Sequence, residues 1–275
     1  MNSIIITGAY SGIGFQCALQ LAKIAPDEQL IRACRNEKSA IEAISKLKQK
    51  TGHLYLKFIP LDLSSFISIK KFRDWISTEE NNNLIVLYNN AGLQIITETN
   101  YTVDGIESTF GVNHPGPFYL TLLLLPFMDS HVSITFTTSG THDPKQKTGI
   151  VPTVYLNADL LAHPLETSEK RNIVGQRRYS TSKLCNILTA YELHKRLSNT
   201  FIRVNAFDPG MVPGTGLART YPPILRFMWK NIMPVLSLFQ KNSNSPVVSG
   251  TNLAKLGNWL IGCPDSYREV DWLIG

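Results

Sequence analysis

Apolar residues recur along this chain in two alternating rhythms. Residues 3–7, "SIIIT", make a short run rich in β-branched side chains; after a glycine turn, "FQCALQLAKIA" spaces its apolar positions for a helix. The alternation repeats. "LIRAC" (30–34) predicts a second strand and "KSAIEAISKLKQK" a second helix, "LYLKFIPLDL" contains a third strand, residues 67–77 a third helix, and "LIVLYNNAG" a fourth strand. Residues 104–128 read as helical with a break near His114–Pro117, and "SITFTTSG" (133–140) as a fifth strand. A long, polar, irregular insert occupies 141–178. A helix over 179–197 and a sixth strand in "FIRVNAFDPG" (201–210) follow, then residues 211–245 and a last helix. Strands separated by helices imply right-handed βαβ crossovers, hence an α/β fold with a doubly wound parallel sheet and helices on both faces. No repeat and no linker interrupts the pattern, so 1–275 is expected to be a single domain.

Composition narrows the partners. Hydrophobic residues make up 43% and charged residues 17% of 275, a balance suited to a globular fold. The net charge is +6, but no Lys/Arg run or basic–aromatic interleaving accompanies it, so no nucleic-acid partner is expected. A positive balance also suits a polyanionic small molecule or a membrane surface. Cys17, Cys34, Cys185 and Cys263 are scattered without a C-x-x-C pair; this predicts neither disulfides nor a metal site, and fits a reducing, cytoplasmic setting. "MNSIIITGAY" shows no signal-peptide pattern, and the longest apolar stretch, "FYLTLLLLPFM" (118–128), is too short to cross a bilayer.

Chemistry first appears at "TGAYSGIG" (7–14), where Gly8, Ser11, Gly12, Ile13 and Gly14 lie between the first strand and the first helix. Gly8 permits a tight turn, Gly12 lets backbone approach a pyrophosphate, and Gly14 allows close helix–strand packing. The helix N-terminus then offers N–H groups to phosphates. A plain structural turn is the alternative, and position in the first βα unit favours the dinucleotide reading. At the end of the second strand an acidic residue would bind a ribose 2′-hydroxyl, but "ACRNEK" supplies Arg35, which suits a 2′-phosphate. NADP(H) is therefore the expected cofactor. Lys38 is either a second cation there or a solvated helix charge.

Gly-x-x-x-Gly-x-Gly, "NNAG" and Tyr-x-x-x-Lys, in that order over residues 3 to about 255, resemble the short-chain dehydrogenase/reductase superfamily. The resemblance implies a single Rossmann-like domain that commonly forms homo-oligomers. It also implies roles. Asp62 and the Leu63 backbone would contact adenine; Asn89, Ala91 and Gly92 would support the fourth strand and the adenosine ribose. Asn113 of "VNHPGPF" would kink its helix and hold a proton-relay water. Ser139 of "TTSG", Tyr179 and Lys183 would complete a catalytic tetrad. Pro209 and Gly210 would turn beside the nicotinamide, and Thr215 would reach its carboxamide. For Ser139 and Asn113 the bland alternatives are a strand-end serine and a helix-kink asparagine.

"YSTSKLCNILTAYELHKRL", "ACRN" and the long insert resemble the branch of retinol-dehydrogenase-like enzymes and protochlorophyllide oxidoreductases, which reduce lipophilic substrates with NADPH. Met211 stands after the Pro-Gly turn, where light-dependent protochlorophyllide reductases carry cysteine, and this argues against that photochemistry. The Tyr–Lys spacing has a physical reason within the family reading. Reduction of a carbonyl leaves an alkoxide that must be protonated, a free Tyr has a pKa of about 10, and an ammonium one helical turn away lowers it. Ser139 would polarise the substrate oxygen.

Residues 211–245 would form the substrate lid. "LARTYPPILRFMWKNIMPVLSLFQKNSNSP" is rich in large apolar residues, with Arg219, Arg226, Lys230 and Lys241 interspersed. It suits a lipophilic substrate or a peripheral membrane contact through 217–240; a helix pair packed on the core is the alternative. The expected activity is NADP(H)-dependent hydride transfer between the nicotinamide and a lipophilic carbonyl or alcohol, with Tyr179 as acid/base. A C=C reductase and a non-catalytic NADP(H) sensor are the alternatives. After the last helix, no further strand is recognisable in "IGCPDSYREVDWLIG".

Overall fold

The computed structural model describes residues 1–78, 83–146, 148–236 and 243–258. Cys263, Lys241 and the end of the lid segment at 237–240 lie outside them, as does the stretch in which no further strand was recognised. Six strands form one parallel sheet: β1 (Asn2–Thr7), β2 (Gln29–Cys34), β3 (Leu56–Pro60), β4 (Asn83–Asn89), β5 (Met128–Thr137) and β6 (Arg203–Phe207). Their order is β3-β2-β1-β4-β5-β6, so the chain winds outward from β1 one way and then restarts on its other side. That reversal leaves a crevice at the strand ends between β1 and β4, where ligands bind in open α/β sheets.

Both faces of the sheet are covered, which is why its strands read as continuous apolar runs. Ile4 and Ile6 point to one face, against Cys17, Ala18 and Leu21 of α1 (Gly12–Ile24), Leu47 of α2 (Glu37–Thr51) and Leu253 of α10 (Pro246–Asn258). Ile5 points to the other, against Phe72 of α3 (Phe66–Thr78), Leu120 of α5 (Pro115–Leu124) and Leu193 of α7 (Arg171–Arg196). Burying each such side chain contributes about 1.5–3 kcal/mol.

Three boundaries differ from the sequence expectation. The helical stretch expected over 104–128 begins only at α4 (Ser108–Asn113), capped by Glu107, whose carboxylate accepts from the Thr109 and Phe110 N–H groups. It breaks at His114, resumes as α5, and ends in a 3₁₀ turn at Leu125–Phe127 where Pro126 cannot continue an α-helix. The chain is extended from Met128 onward, so β5 starts five residues before the expected 133 and absorbs an irregularity against Leu84/Val86.

The insert is not structureless. It contains a 3₁₀ turn at Gly140–His142, α6 (Ala158–Ala162) and the first two turns of α7, which begins eight residues before the expected 179. Gly175 explains the early start: a Cβ there would lie 2.2 Å from the Ile95 carbonyl oxygen, so only glycine lets the helix seat on that backbone. Arg178 then reaches Thr99 Oγ1 at 2.8 Å and approaches buried Glu107 at 3.9 Å. The loop before α6 is tied to α7 by Ser180 Oγ donating to the Val151 carbonyl and Gln176 Oε1 accepting from the Val151 N–H.

Candidate active site

The glycine loop sits at the mouth of the crevice. Gly8 has φ +68° and Gly12 φ +57°, conformations that L side chains rarely adopt. A Cβ at Gly14 would stand 2.5 Å from Asn90 Nδ2 and 2.9 Å from the Gly8 carbonyl oxygen. Exposed Ser11 caps α1 in extended geometry but makes no side-chain cap bond, and half-buried Ile13 packs against the core behind it. The first N–H groups of α1 thus carry no side-chain acceptor, and the helix dipole adds positive potential. This cradle fits a pyrophosphate.

"NNAG" clamps the loop, though by an asparagine that the sequence reading passed over. Asn90 Nδ2 donates to the Thr7 carbonyl at 2.9 Å, while Thr7 Oγ1 accepts from the N–H groups of Asn90 and Ala91. Asn89 points away: its Nδ2 donates to Thr121 Oγ1 at 2.9 Å, tying β4 to α5. Asn89 therefore supports the strand but does not face the loop, because neighbouring strand residues point to opposite sides. Ala91 lies against Gly8, where a Cβ would be 3.0 Å from the Ala91 Cα. A Cβ at Gly92 would be 3.3 Å from Asn113 Oδ1 and 3.5 Å from Lys183 Nζ, so this backbone passes directly by the tetrad.

Beyond the C-terminal end of β2, Arg35 and Lys38 are exposed. Asp62 follows β3 and is half-buried; its Oδ1 accepts from the Ser64 N–H and hydroxyl, and its own N–H donates to Ser68 Oγ. Leu63 is buried in the core beneath α5, its backbone carbonyl abutting Gly116.

Three of the four tetrad side chains converge. Tyr179, 7% exposed, shares a hydrogen bond with Ser139 at the end of β5. Lys183 lies one turn further along α7, with its Nζ 5.7 Å from the Tyr179 ring centroid and donating to the Thr137 carbonyl at 2.8 Å. Asn113 stands behind them at the end of α4. Its side chain holds Leu93 on both sides, accepting from the N–H at 2.8 Å and donating to the carbonyl at 2.9 Å, and also donates to Ser182 Oγ. Its carbonyl accepts from Asn186 Nδ2 at 3.0 Å. The helix kink expected at Asn113 is present at His114.

Burial governs the electrostatics. It pushes the Tyr179 phenol above its ordinary range, against the Ser139 hydrogen bond and with smaller upward contributions from Asp208 and Tyr221. The acidification expected from Lys183 does not prevail. Burial pulls the Lys183 ammonium down to about 8, opposed by Asp208. Asp208 itself, raised mainly by burial, caps the Pro209–Gly210 turn by accepting from the Gly210 N–H at 3.0 Å. This carboxylate beside the tetrad was not singled out from sequence; its place before Pro-Gly was the available signal. His142 rests on the Ser139 carbonyl through Nδ1 at 2.7 Å.

The lid segment folds as a 3₁₀ turn at Gly216–Thr220, α8 (Pro223–Phe227), a π turn at Met228–Ile232 and α9 (Met233–Leu236). Thr215 begins it, and its methyl would be 3.5 Å from a Cβ on Gly12, so lid and glycine loop touch. Thr220 Oγ1 and Tyr221 Oη donate to the backbone and side-chain carbonyls of buried Gln94, each at 2.6 Å. Ile224, Phe227 and Val235 face solvent at 76%, 61% and 60% exposure.

Comparison with known proteins places the chain in a family. Residues 2–151 match the short chain dehydrogenase family. The chain belongs to that family. It is 32% identical over 252 residues to the WW domain-containing oxidoreductase of Drosophila melanogaster, covering 91% of this chain and 58% of that protein. It is 31% identical over 237 residues to retinol dehydrogenase 12 of Mus musculus, covering 84% and 67%. The chain thus spans roughly half to two thirds of the length of the curated relatives it matches. A short-chain dehydrogenase from Sphingobium yanoikuyae in complex with NADPH superposes with a TM-score of 0.59 at 16% identity, over 90% of this chain and 88% of that one, which shows the shared fold. Among the described residues no helix is long and apolar enough to cross a membrane, and no group of three metal-ligating side chains occurs.

Proposed function

We propose that this chain is an NADP(H)-dependent oxidoreductase acting between a lipophilic carbonyl compound and its alcohol, with Tyr179 as the general acid/base. The observation that carries this reading is the convergence of Ser139, Tyr179 and Lys183 at the crevice beside the glycine loop. A bound nicotinamide would donate or accept the hydride. The chain's residues do the rest: the α1 N-terminus holds the phosphates, Arg35 meets a 2′-phosphate, and Ser139 hydrogen-bonds the substrate oxygen. Tyr179 gives that oxygen a proton, or takes one in the reverse direction, and Lys183 supports the phenolate that results. Asn113 positions the Leu93 backbone alongside, and Thr215 and Pro209–Gly210 would border a bound nicotinamide.

NADP(H) is favoured by Arg35 standing where an acid would bind the bare ribose, and by the NADPH in the Sphingobium yanoikuyae structure. Support for the lipophilic substrate comes from the apolar lid and from relatives named for retinol. The exposed apolar side chains of α8 and α9, together with exposed Arg226 and Lys230, support a peripheral contact with an anionic membrane. Unchanged partitioning between buffer and anionic vesicles after Phe227→Asp would refute that contact. The chain acts as one domain, with 211–245 as the lid, in a homo-oligomer of the family's kind.

Oxidation of NADPH by the purified protein, followed against aldehydes and ketones graded in chain length, tests the proposal. Turnover preferring NADPH over NADH, rising with chain length, and falling about 10²–10⁴-fold in Tyr179→Phe is expected. Undiminished turnover in that variant would sink the assignment of the acid.

A further inference from the structure

One charged side chain has no place in the mechanism above. Arg32 lies in the middle of β2, between Ile31 and Ala33, and is fully buried. Its Nη2 donates to the Ala9 carbonyl, and its guanidinium carbon stands 5.7 Å from the centroid of the Phe15 ring. Nε and Nη1 are buried without a hydrogen-bond partner. No carboxylate pairs with Arg32 among the described residues. Its ionisable neighbour is Cys34, whose thiol burial pushes up to about 11, so it brings no negative charge at neutral pH. Burial pulls Arg32 down to about 10, which still leaves it cationic there. A buried cation without an anion is costly, and two orphaned donors on it require an explanation.

The location supplies one. Ala9 belongs to the glycine loop, and Cys34 is the last residue of β2, directly before Arg35. Arg32 therefore lies beneath the corner where the β1–α1 loop meets the exit of β2. On the NADP(H) reading a bound cofactor's pyrophosphate would lie at the α1 N-terminus, further along the loop. The anion left for this corner is a phosphate on the adenosine ribose.

We propose that Arg32 is a second cation reading the cofactor's 2′-phosphate, set beneath the loop while Arg35 stands at its rim. The inference rests on the NADP(H) reading given above. Because the guanidinium is covered by Ala9 and Phe15, engagement requires the Ala9–Ser11 turn to shift so that a phosphate oxygen reaches Nε and Nη1. The phosphate then satisfies donors that the fold alone leaves unpaired, and a ligand with a bare 2′-hydroxyl brings no charge to do so.

The test is the affinity of the full chain for 2′,5′-ADP and for 5′-AMP, which differ only in the 2′-phosphate. Wild type is expected to prefer 2′,5′-ADP. Arg32→Met and Arg32→Gln are expected to cut that preference at least about tenfold, with 5′-AMP affinity unchanged within about twofold. Equal weakening of both ligands would make Arg32 a strut for the Ala9 carbonyl and overturn the inference. So would a preference that survives in the Arg32 variants and is lost in Arg35→Gln, an outcome that leaves the NADP(H) reading intact. A wild type indifferent to the 2′-phosphate would overturn that reading, and the inference with it. Should both Arg32 variants fail to fold, ³¹P titration of 2′,5′-ADP bound to Arg35→Gln decides. The bound 2′-phosphate is expected to ionise at lower pH than the free one, and an unshifted titration overturns the inference.

Discussion

Acid is expected to weaken this fold through His114, the residue at the break between α4 and α5. Its ring stacks on Phe118 at 6.0 Å and lies 5.4 Å from Phe110, and its Nδ1 meets Asn186 Oδ1 at 3.1 Å. Since Oδ1 only accepts, Nδ1 carries the proton. Burial pulls the imidazole down from 6.5 to about 4, with the Asn186 bond opposing. The folded pKa is depressed, so between pH 6.5 and 4 the unfolded chain binds the proton that the folded chain refuses. Stability present above pH 6.5 is lost as pH falls. Linkage puts the loss at up to about 2 kcal/mol between pH 7 and 5, and about 3 kcal/mol by pH 4. These are ceilings, because His114 is not fully buried. Glu107 acts oppositely in this range: burial raises its carboxyl, so it adds stability as pH falls. Comparison with His114→Gln separates the two, since glutamine can still donate to Asn186 and does not titrate. Urea unfolding at pH 7, 6 and 5 should show a steeper decline in wild type than in the variant. Parallel declines would refute the argument and assign acid sensitivity elsewhere.

The remaining predictions concern the site itself. Gly14→Ala forces a Cβ against Asn90 Nδ2 and should cost about 1–3 kcal/mol in urea unfolding while weakening cofactor binding in titration calorimetry. Asn113→Ala removes the partners of both Leu93 backbone groups and should destabilise by about 2–4 kcal/mol, with amide exchange accelerated at residues 92–94. Tyr221→Phe deletes the bond to Gln94 Oε1; steady-state kinetics should show a higher KM for long-chain substrates and a smaller change in kcat.

How much of this was legible depended on whether the information was local. The first three βα units and β4 declare themselves through periodicity, and the glycine loop, "NNAG" and Tyr-x-x-x-Lys through spacing. The start of β5 did not, because "LLLLPFM" is apolar in any conformation and only pairing with Leu84 marks Met128 as strand. Arg171–Arg178 carries no apolar stripe; its helix depends on Gly175 docking against Ile95 and on Arg178 reaching Thr99, both tertiary events. Choosing Asn90 over Asn89 needs the side of the strand each one faces. Arg32 was visible as a charge in an apolar strand, but its orphaned donors appear only once Ala9 and Phe15 are placed around it.

The segment from Asn90 to Gln94 shows why these parts act together. Asn90 clamps the first strand's end, at Thr7, where the glycine loop begins. Gly92 passes beside Lys183 and Asn113, Leu93 is gripped at both backbone groups by Asn113, and Gln94 takes the two lid bonds from Thr220 and Tyr221. Cofactor cradle, tetrad and lid are thus all hydrogen-bonded to, or in contact with, five consecutive residues. A displacement of this segment by a fraction of an ångström is felt at all three, since packed backbone and short hydrogen bonds leave little slack. Under the proposed function, a substrate that displaced the Tyr221–Gln94 bond would therefore reach the asparagine behind Tyr179 and Lys183 through Leu93, without the lid touching the tetrad.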